Sequence, residues 1–391
     1  MKSLAILLLL ASPAFAQKSQ ADEDEKRRPS INLMLYHFAF NSEIFDVPCC
    51  DGFTLLGSQI NATASLPIGE KAEVRVGAIV FVGSTAERNA LEKARPVVSL
   101  IFNSEHNRFI MGTLLTRPDI SESGPEYTGR HNLLPPLQSF ALGIERGYEN
   151  GLQFIRNAPK EKIDAWVNWQ TLNTENQRET IDAGLTGRVH ILGPLWAGLQ
   201  GHIVHDGGQL FRGVDQPVSD SWAAGGGLIV QRDKPKLFLI AGPRVLSQIS
   251  NELYVLANSS IPDRATDIGR IKGRGFLYRS TLRYKNFRGQ IIRWWGDEWY
   301  KREGDQLYSG ARAFNLFTHR SEAGPLKKYT QYGFFYEYRP TNTMEVEAGF
   351  RLHRSEISEP DGGITSIIWK SRMTTDYEYT IRAVIDVSFG L

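Results

Sequence analysis

Three histidines and an aspartate crowd one stretch of the chain: His190, His202, His205 and Asp206. Imidazoles this close suit two chemistries. One is metal ligation, which needs ligands that converge on a point. The other is proton transfer, in which a histidine acts as base and a carboxylate orients it. Spacing argues against the first, because His202 and His205 point to opposite faces of an extended strand. The pair His205-Asp206 suits the second and gives one reading, a surface hydrolase. No nearby serine has the elbow or triad context of a nucleophile. Zinc spacing, phosphate loop, EF-hand loop and dinucleotide fingerprint are all missing from the sequence. Cys49 and Cys50 are adjacent, ~3.8 Å apart at Cα, too close for an unstrained disulfide at roughly 4.4–6.8 Å. They read as an incidental pair in an exposed loop.

Tryptophans offer a second chemistry. Trp166, Trp196 and Trp295 share one strand phase, and their rings could stack on sugars in a channel for oligosaccharide or exopolysaccharide. Packing near a membrane interface explains them more simply. Charges at alternate positions offer a third. Arg75, Arg188, Arg279, Arg283, Arg293, Asp297, Glu345, Glu347, Arg351, Arg382 and Asp386 all take the phase opposite to the apolar residues around them. Unpaired buried charge is costly, so these positions require either water or systematic pairing. The expectation is an aqueous lumen, with Arg279, Arg283 and Arg293 forming one basic ladder.

Strands must hold these residues. Residues 377–391, YEYTIRAVIDVSFGL, put Tyr379, Ile381, Ala383, Ile385, Val387, Phe389 and Leu391 on one face. Charged and polar residues fill the other, where Val384 is the exception. A two-residue period of this kind marks a strand. Sixteen such segments are predicted: 31–41, 53–67, 72–82, 96–103, 107–115, 139–157, 162–172, 179–192, 195–206, 221–232, 235–248, 268–285, 288–300, 329–339, 343–354 and 376–391. Alternate connections are short and the others mostly long. Residues 1–16 carry a lysine, a short apolar run and Ala14-Phe15-Ala16, the pattern of a cleaved export signal. Residues 17–30 are charged and aperiodic, a disordered periplasmic lead-in. The chain of 391 residues has 45 basic and 43 acidic side chains, a balance that gives no reason to expect nucleic acid. Its 36 glycines and 11% aromatic content suit β structure.

Signal, alternation, loop asymmetry and terminal strand together resemble the porin-type outer-membrane β-barrels of Gram-negative bacteria. The resemblance is architectural and rests on no family motif. It implies an all-β fold, a transmembrane antiparallel up-and-down barrel of about sixteen strands (14–18) over 31–391. It also implies a third outer loop folded inward, with Asp119, Glu122 and Glu126 facing the arginine wall across a constriction. The sequence departs from such barrels at its end, where Phe389 is followed by Gly390-Leu391. Together these features give a pore in the outer membrane for small polar solutes, filtered by width and by inward charge. No enzymatic activity, cofactor or metal is expected. Expected partners are outer-membrane lipid and lipopolysaccharide, the barrel assembly machinery and the solutes; a homo-oligomer is compatible.

Overall fold

The computed structural model describes residues 28–45, 52–83, 91–116, 130–140, 142, 147–207, 217–239, 242–267, 269–310, 312–315, 320–323, 327–360 and 369–390. The expected signal, most of the lead-in and the two cysteines lie outside these residues. So do Asp119, Glu122 and Glu126.

Among the described residues twenty strands alternate with turns. They are β1 Ser30–Glu43, β2 Phe53–Ile68, β3 Ala72–Gly83, β4 Leu91–Asn103, β5 Asn107–Thr113, β6 Asn150–Ala158, β7 Glu161–Thr171, β8 Glu179–Leu192, β9 Leu195–Gly207 and β10 Ser219–Asp233. Then follow β11 Lys236–Leu239, β12 Gly242–Val245, β13 Gln248–Ile261, β14 Ile271–Tyr284, β15 Phe287–Asp297, β16 Arg312–Asn315, β17 Arg320–Ala323, β18 Lys327–Thr341, β19 Met344–Pro360 and β20 Trp369–Gly390. Sixteen of them, all but the hairpins β11–β12 and β16–β17, close into one antiparallel barrel in which β20 pairs with β1. Closure removes every sheet edge, which a barrel in lipid requires. The end carrying the long connections is called outer below.

The outward face is apolar along the wall. Leu33, Val98, Leu199, Leu228, Leu253, Phe334, Tyr336 and Ile381 are all exposed. Val384, the exception to the alternation, packs inward with Tyr36, Phe38, Phe40 and Phe140. Two predicted strands are displaced. Segment 235–248 does not cross; it forms the short hairpin β11–β12. The crossing falls to β13, which was expected to be an outer loop. Its alternation is clear in hindsight: Leu253 and Val255 point out, Glu252 and Tyr254 point in. Segment 139–157 becomes a strand only from Asn150. Ahead of it, residues 130–140 turn into the barrel.

Those residues form a strap across the lumen. At one end Arg130 and His131 meet the wall at β7 and β8. At the other, Phe140 meets Phe40 on β1, with ring centroids 6.1 Å apart. A second inward segment, 298–310, lies against the strap. Trp299 Nε1 donates to the Pro136 carbonyl (3.3 Å), Ser139 N to Glu303 O (2.7 Å) and Asp305 N to Pro135 O (2.9 Å). Leu133, Leu134 and Leu137 from the strap join Trp299, Leu307 and Tyr308 from the second segment. With wall residues Trp166, Leu277, Ile292, Trp294 and Tyr329 they make an apolar core inside the barrel.

Candidate functional site

This filling decides the state of the inward charges. Arg279 pairs with Glu252 (2.7 Å) and Arg283 with Glu337 (2.6 Å). Arg288 bridges Glu337 and Glu347, at 2.5 Å each, and Arg382 reaches Glu347 (3.1 Å) and Glu345 (3.6 Å). Arg351 pairs with Glu378 (2.8 Å), and both Arg288 and Arg351 lie over the Phe335 ring. Arg75 donates to Ser99 Oγ and the Thr113 carbonyl. The expected aqueous wall of charge is, over this region, a paired network. Pairing replaces water here because two loop segments, 130–140 and 298–310, enter the lumen.

Three expected inward residues point out. The inward phase of β15 is Arg288, Gln290, Ile292 and Trp294, all buried. Arg293, Trp295 and Asp297 therefore take the outward face, and Asp297 pairs with Arg274 at the rim (3.2 Å). The phase was ambiguous because isoleucine and tryptophan occupy both faces of this strand. An aqueous lumen would have favoured Arg293 inside; the packed core favours Ile292 and Trp294. The basic ladder is thus Arg279 and Arg283 without Arg293. Asp386 lies exposed near the inner mouth, on the inward phase of β20. Arg188 and Trp196 stand together near that mouth, with the guanidinium 5.4 Å from the ring centre. Arg188 also lines an inner cavity of about 200 Å³.

The expected acidic residues of the third outer loop, Asp119, Glu122 and Glu126, lie outside the described residues. The part of the third outer loop that enters brings basic groups to an acidic wall. Arg130 pairs with Glu149, with Asp182 (2.9 Å) and with Glu303 (3.6 Å). His131 sets Nε2 against Glu149 (2.5 Å) and Nδ1 against Asp164 (2.8 Å), and stacks on Trp166 at 3.9 Å. Burial disfavours its charged form, but Glu149 and Asp164 outweigh that and push its pKa up to about 10. Asp182 also accepts from Trp166 Nε1 (3.1 Å) and meets His202 Nε2 (3.0 Å). Asp182, His202 and Glu303 bring their ligand atoms within 4.8 Å of one another, close enough for a cation. Arg130 already supplies positive charge to both carboxylates, so the set suits an ion-pair network better than a metal. None of this cluster reaches the surface: His131 is 0% and His202 3% exposed.

The surface histidine is elsewhere. His205 lies at the outer end of β9 on the outward face, directly opposite Asp220 of β10. Its Nδ1 is 2.6 Å from Asp220 Oδ1, and Arg264 Nε is 3.0 Å from the other oxygen. Asp206, expected as the orienting acid, points the other way. It binds Thr180, Ser219 and Arg302 on the inward side. Neighbours in a strand face opposite sides, so the partner of His205 had to come from across the ladder. Asp220 lies across a long connection whose register the sequence does not fix; Arg130 and Glu303 lie in loops and left no periodic signal, whereas Glu149 was readable as inward from its phase in segment 139–157. The Nε2 edge of His205 lies over Gly207, where an added Cβ would fall 2.3 Å away. Directly below, Ile203, Trp222 and Leu199 are exposed on the lipid-facing wall. The arrangement is a carboxylate-oriented imidazole at the meeting of lipid and water. Among the described residues no serine or cysteine bonds the ring.

Comparisons with known proteins bear on both parts. Among solved structures, OmpT of Vibrio cholerae matches at a TM-score of 0.52 and 10% identity, covering 94% of this chain and 100% of that one. An anion-selective porin from Comamonas acidovorans matches at 0.50 and 9%, covering 92% and 100%. At such identities the likeness shows the fold alone, an outer-membrane barrel. No curated protein sequence matches the chain. A family model described as Lipid A 3'-O-deacylase-type matches residues 21–391. That match overturns the expectation that the chain is not an enzyme. It also limits the porin resemblance to architecture.

Proposed function

Because the chain belongs to the Lipid A 3'-O-deacylase-type family, we propose that it hydrolyses an acyl ester of a lipid A-type glycolipid in the outer leaflet. The observation that carries this reading is the His205–Asp220 pair on the outward face of the outer rim. An ester buried at the glycolipid's acyl boundary is presented at that height, while the lumen cluster is sealed from lipid.

In this mechanism Asp220 accepts the Nδ1–H of His205, which fixes the tautomer and leaves Nε2 as the base. Nε2 takes a proton from water as the water oxygen bonds to the acyl carbonyl carbon. The tetrahedral intermediate collapses, the C–O bond to the sugar breaks, and Nε2–H returns the proton to the departing alkoxide. The products are a free fatty acid and a hydroxyl on the sugar. Asp220 remains ionised throughout and stabilises the imidazolium. Arg264 holds Asp220 in place, and its terminal nitrogens, without partners among the described residues, are available to the developing oxyanion or a sugar phosphate. Gly207, which lacks a Cβ, lets the His205 ring lie across it. Ile203 and Trp222 seat the acyl chain.

The test is incubation of the folded protein with a lipid A-type glycolipid in mixed micelles, in ¹⁸O-water, followed by mass spectrometry. One acyl chain should be lost, and the released acid should carry one heavy oxygen. Intact glycolipid after prolonged incubation with well-folded protein would refute the reading.

A further inference from the structure

Arg293 is an arginine on the lipid-facing wall, and it is not alone. The ladder registers place Tyr278, Arg293, Thr330 and Arg354 in one row across β14, β15, β18 and β19. The next row outward holds Trp295 and Lys328. Arg293 and Arg354 are exposed and make no ion pair or hydrogen bond among the described residues. Two other cations in the patch are already paired: Arg274 with Asp297 (3.2 Å) and Lys328 with Glu356 (3.1 Å).

Height explains where these free cations meet the membrane. From Met344 the outward face of β19 runs through Val346, Ala348, Phe350 and Leu352 before reaching Arg354. At ~3.4 Å per residue and a tilt of ~40° that climb is about 26 Å, the thickness of the ~25 Å apolar band of an outer-membrane barrel. Arg354 therefore stands at the outer headgroup boundary. Arg293 shares the ladder row of Arg354, two strands away, and its long stem can carry the guanidinium toward the same boundary. An unpaired arginine facing acyl chains is costly. The cost is removed if each guanidinium meets a phosphate, to which it donates two parallel hydrogen bonds.

We propose that this face binds the phosphate groups of outer-leaflet lipid, with Arg293 and Arg354 as the phosphate ligands and Trp295 anchoring at the interface. The patch lies on β14–β19, whereas His205 and Asp220 lie on β9 and β10, so it is a separate site from the proposed catalytic pair and does not depend on it.

The experiment reconstitutes the full chain in phosphatidylcholine bilayers containing phosphatidic acid. It is then extracted in mild detergent, and the retained lipids are measured by native mass spectrometry. The wild type should retain phosphatidic acid over phosphatidylcholine. The double variant Arg293→Gln, Arg354→Gln should lose that preference by about thirtyfold, the sum of two headgroup-level arginines. The double lysine variant should retain most of it, and Lys285→Gln, a charge removed at the inner end, should change nothing. Heat-modifiable migration checks that each variant is folded. An unchanged preference in the double glutamine variant would overturn the proposal, as would an equal loss in Lys285→Gln. Complete displacement by inorganic phosphate would assign the site to a free anion rather than a lipid. A change in oligomer size with lipid retention intact would assign the face to a second copy of the chain.

Discussion

At the residue scale, one nitrogen carries the functional account. His205 Nε2 is the only part of the rim pair left to act, since Nδ1 is committed to Asp220. Replacing Asp220 by Asn keeps the shape but removes the charge that stabilises the imidazolium, and the fall in turnover should be on the order of 10⁴-fold, as for other carboxylate–histidine pairs. Initial-rate measurements on micellar glycolipid check this. Gly207→Ala is a sharper test, because it touches no charge. Its methyl group would fall 2.3 Å from Nε2, so the ring must swing aside. Turnover should drop, and heat-modifiable migration should show that the variant still folds. The sequence marks His205 as a candidate base with Asp206 as its acid; in the structure the carboxylate beside His205 is Asp220. Adjacency in sequence is the opposite of adjacency on a strand face, and only the pairing register corrects that.

At the element scale, the strap and the second inward segment decide what the barrel can be. Truncating Arg130 to Ala would leave Glu149, Asp182 and Glu303 buried with their shared cation gone. Removing one partner of such a buried set costs about 3–5 kcal/mol, so denaturant unfolding should shift accordingly. The strap should also respond to pH. With its pKa raised from 6.5 to about 10 in the fold, His131 stabilises the strap fully below about pH 6.5 and loses that contribution as pH rises through about 10. Hydrogen exchange over 130–140 should therefore accelerate in alkaline buffer, and His131→Gln should flatten the dependence. Fourteen barrel strands were readable from alternation, and the count of sixteen from alternation together with the parity of short and long connections. Segment 235–248 misled because an apolar run need not cross the membrane, and the weaker pattern of β13 does. The strap was unreadable for a physical reason. Leu133, Leu134 and Leu137 belong to no strand period, and their apolar partners lie across the barrel.

At the scale of the whole molecule, a sixteen-strand wall has been closed from within. The fold matches outer-membrane barrels that include an anion-selective porin, but its interior is an apolar core flanked by ion pairs. In planar bilayers the folded protein should conduct far less than an open barrel of this size. The double variant Leu134→Ala, Arg130→Ala should raise its conductance by releasing the strap. A large, stable conductance in the unaltered protein would mean that the strap leaves the lumen in the membrane. With the interior filled, the proposed chemistry falls on the outside of the wall, which faces lipid. The most direct test of that assignment compares fatty-acid release from outer-leaflet glycolipid by three proteins: wild type, His205→Ala at the rim and His202→Gln in the lumen. Release is expected from the wild type and from folded His202→Gln, and none above background from His205→Ala. Full release by His205→Ala, or loss of release only in His202→Gln, would contradict it.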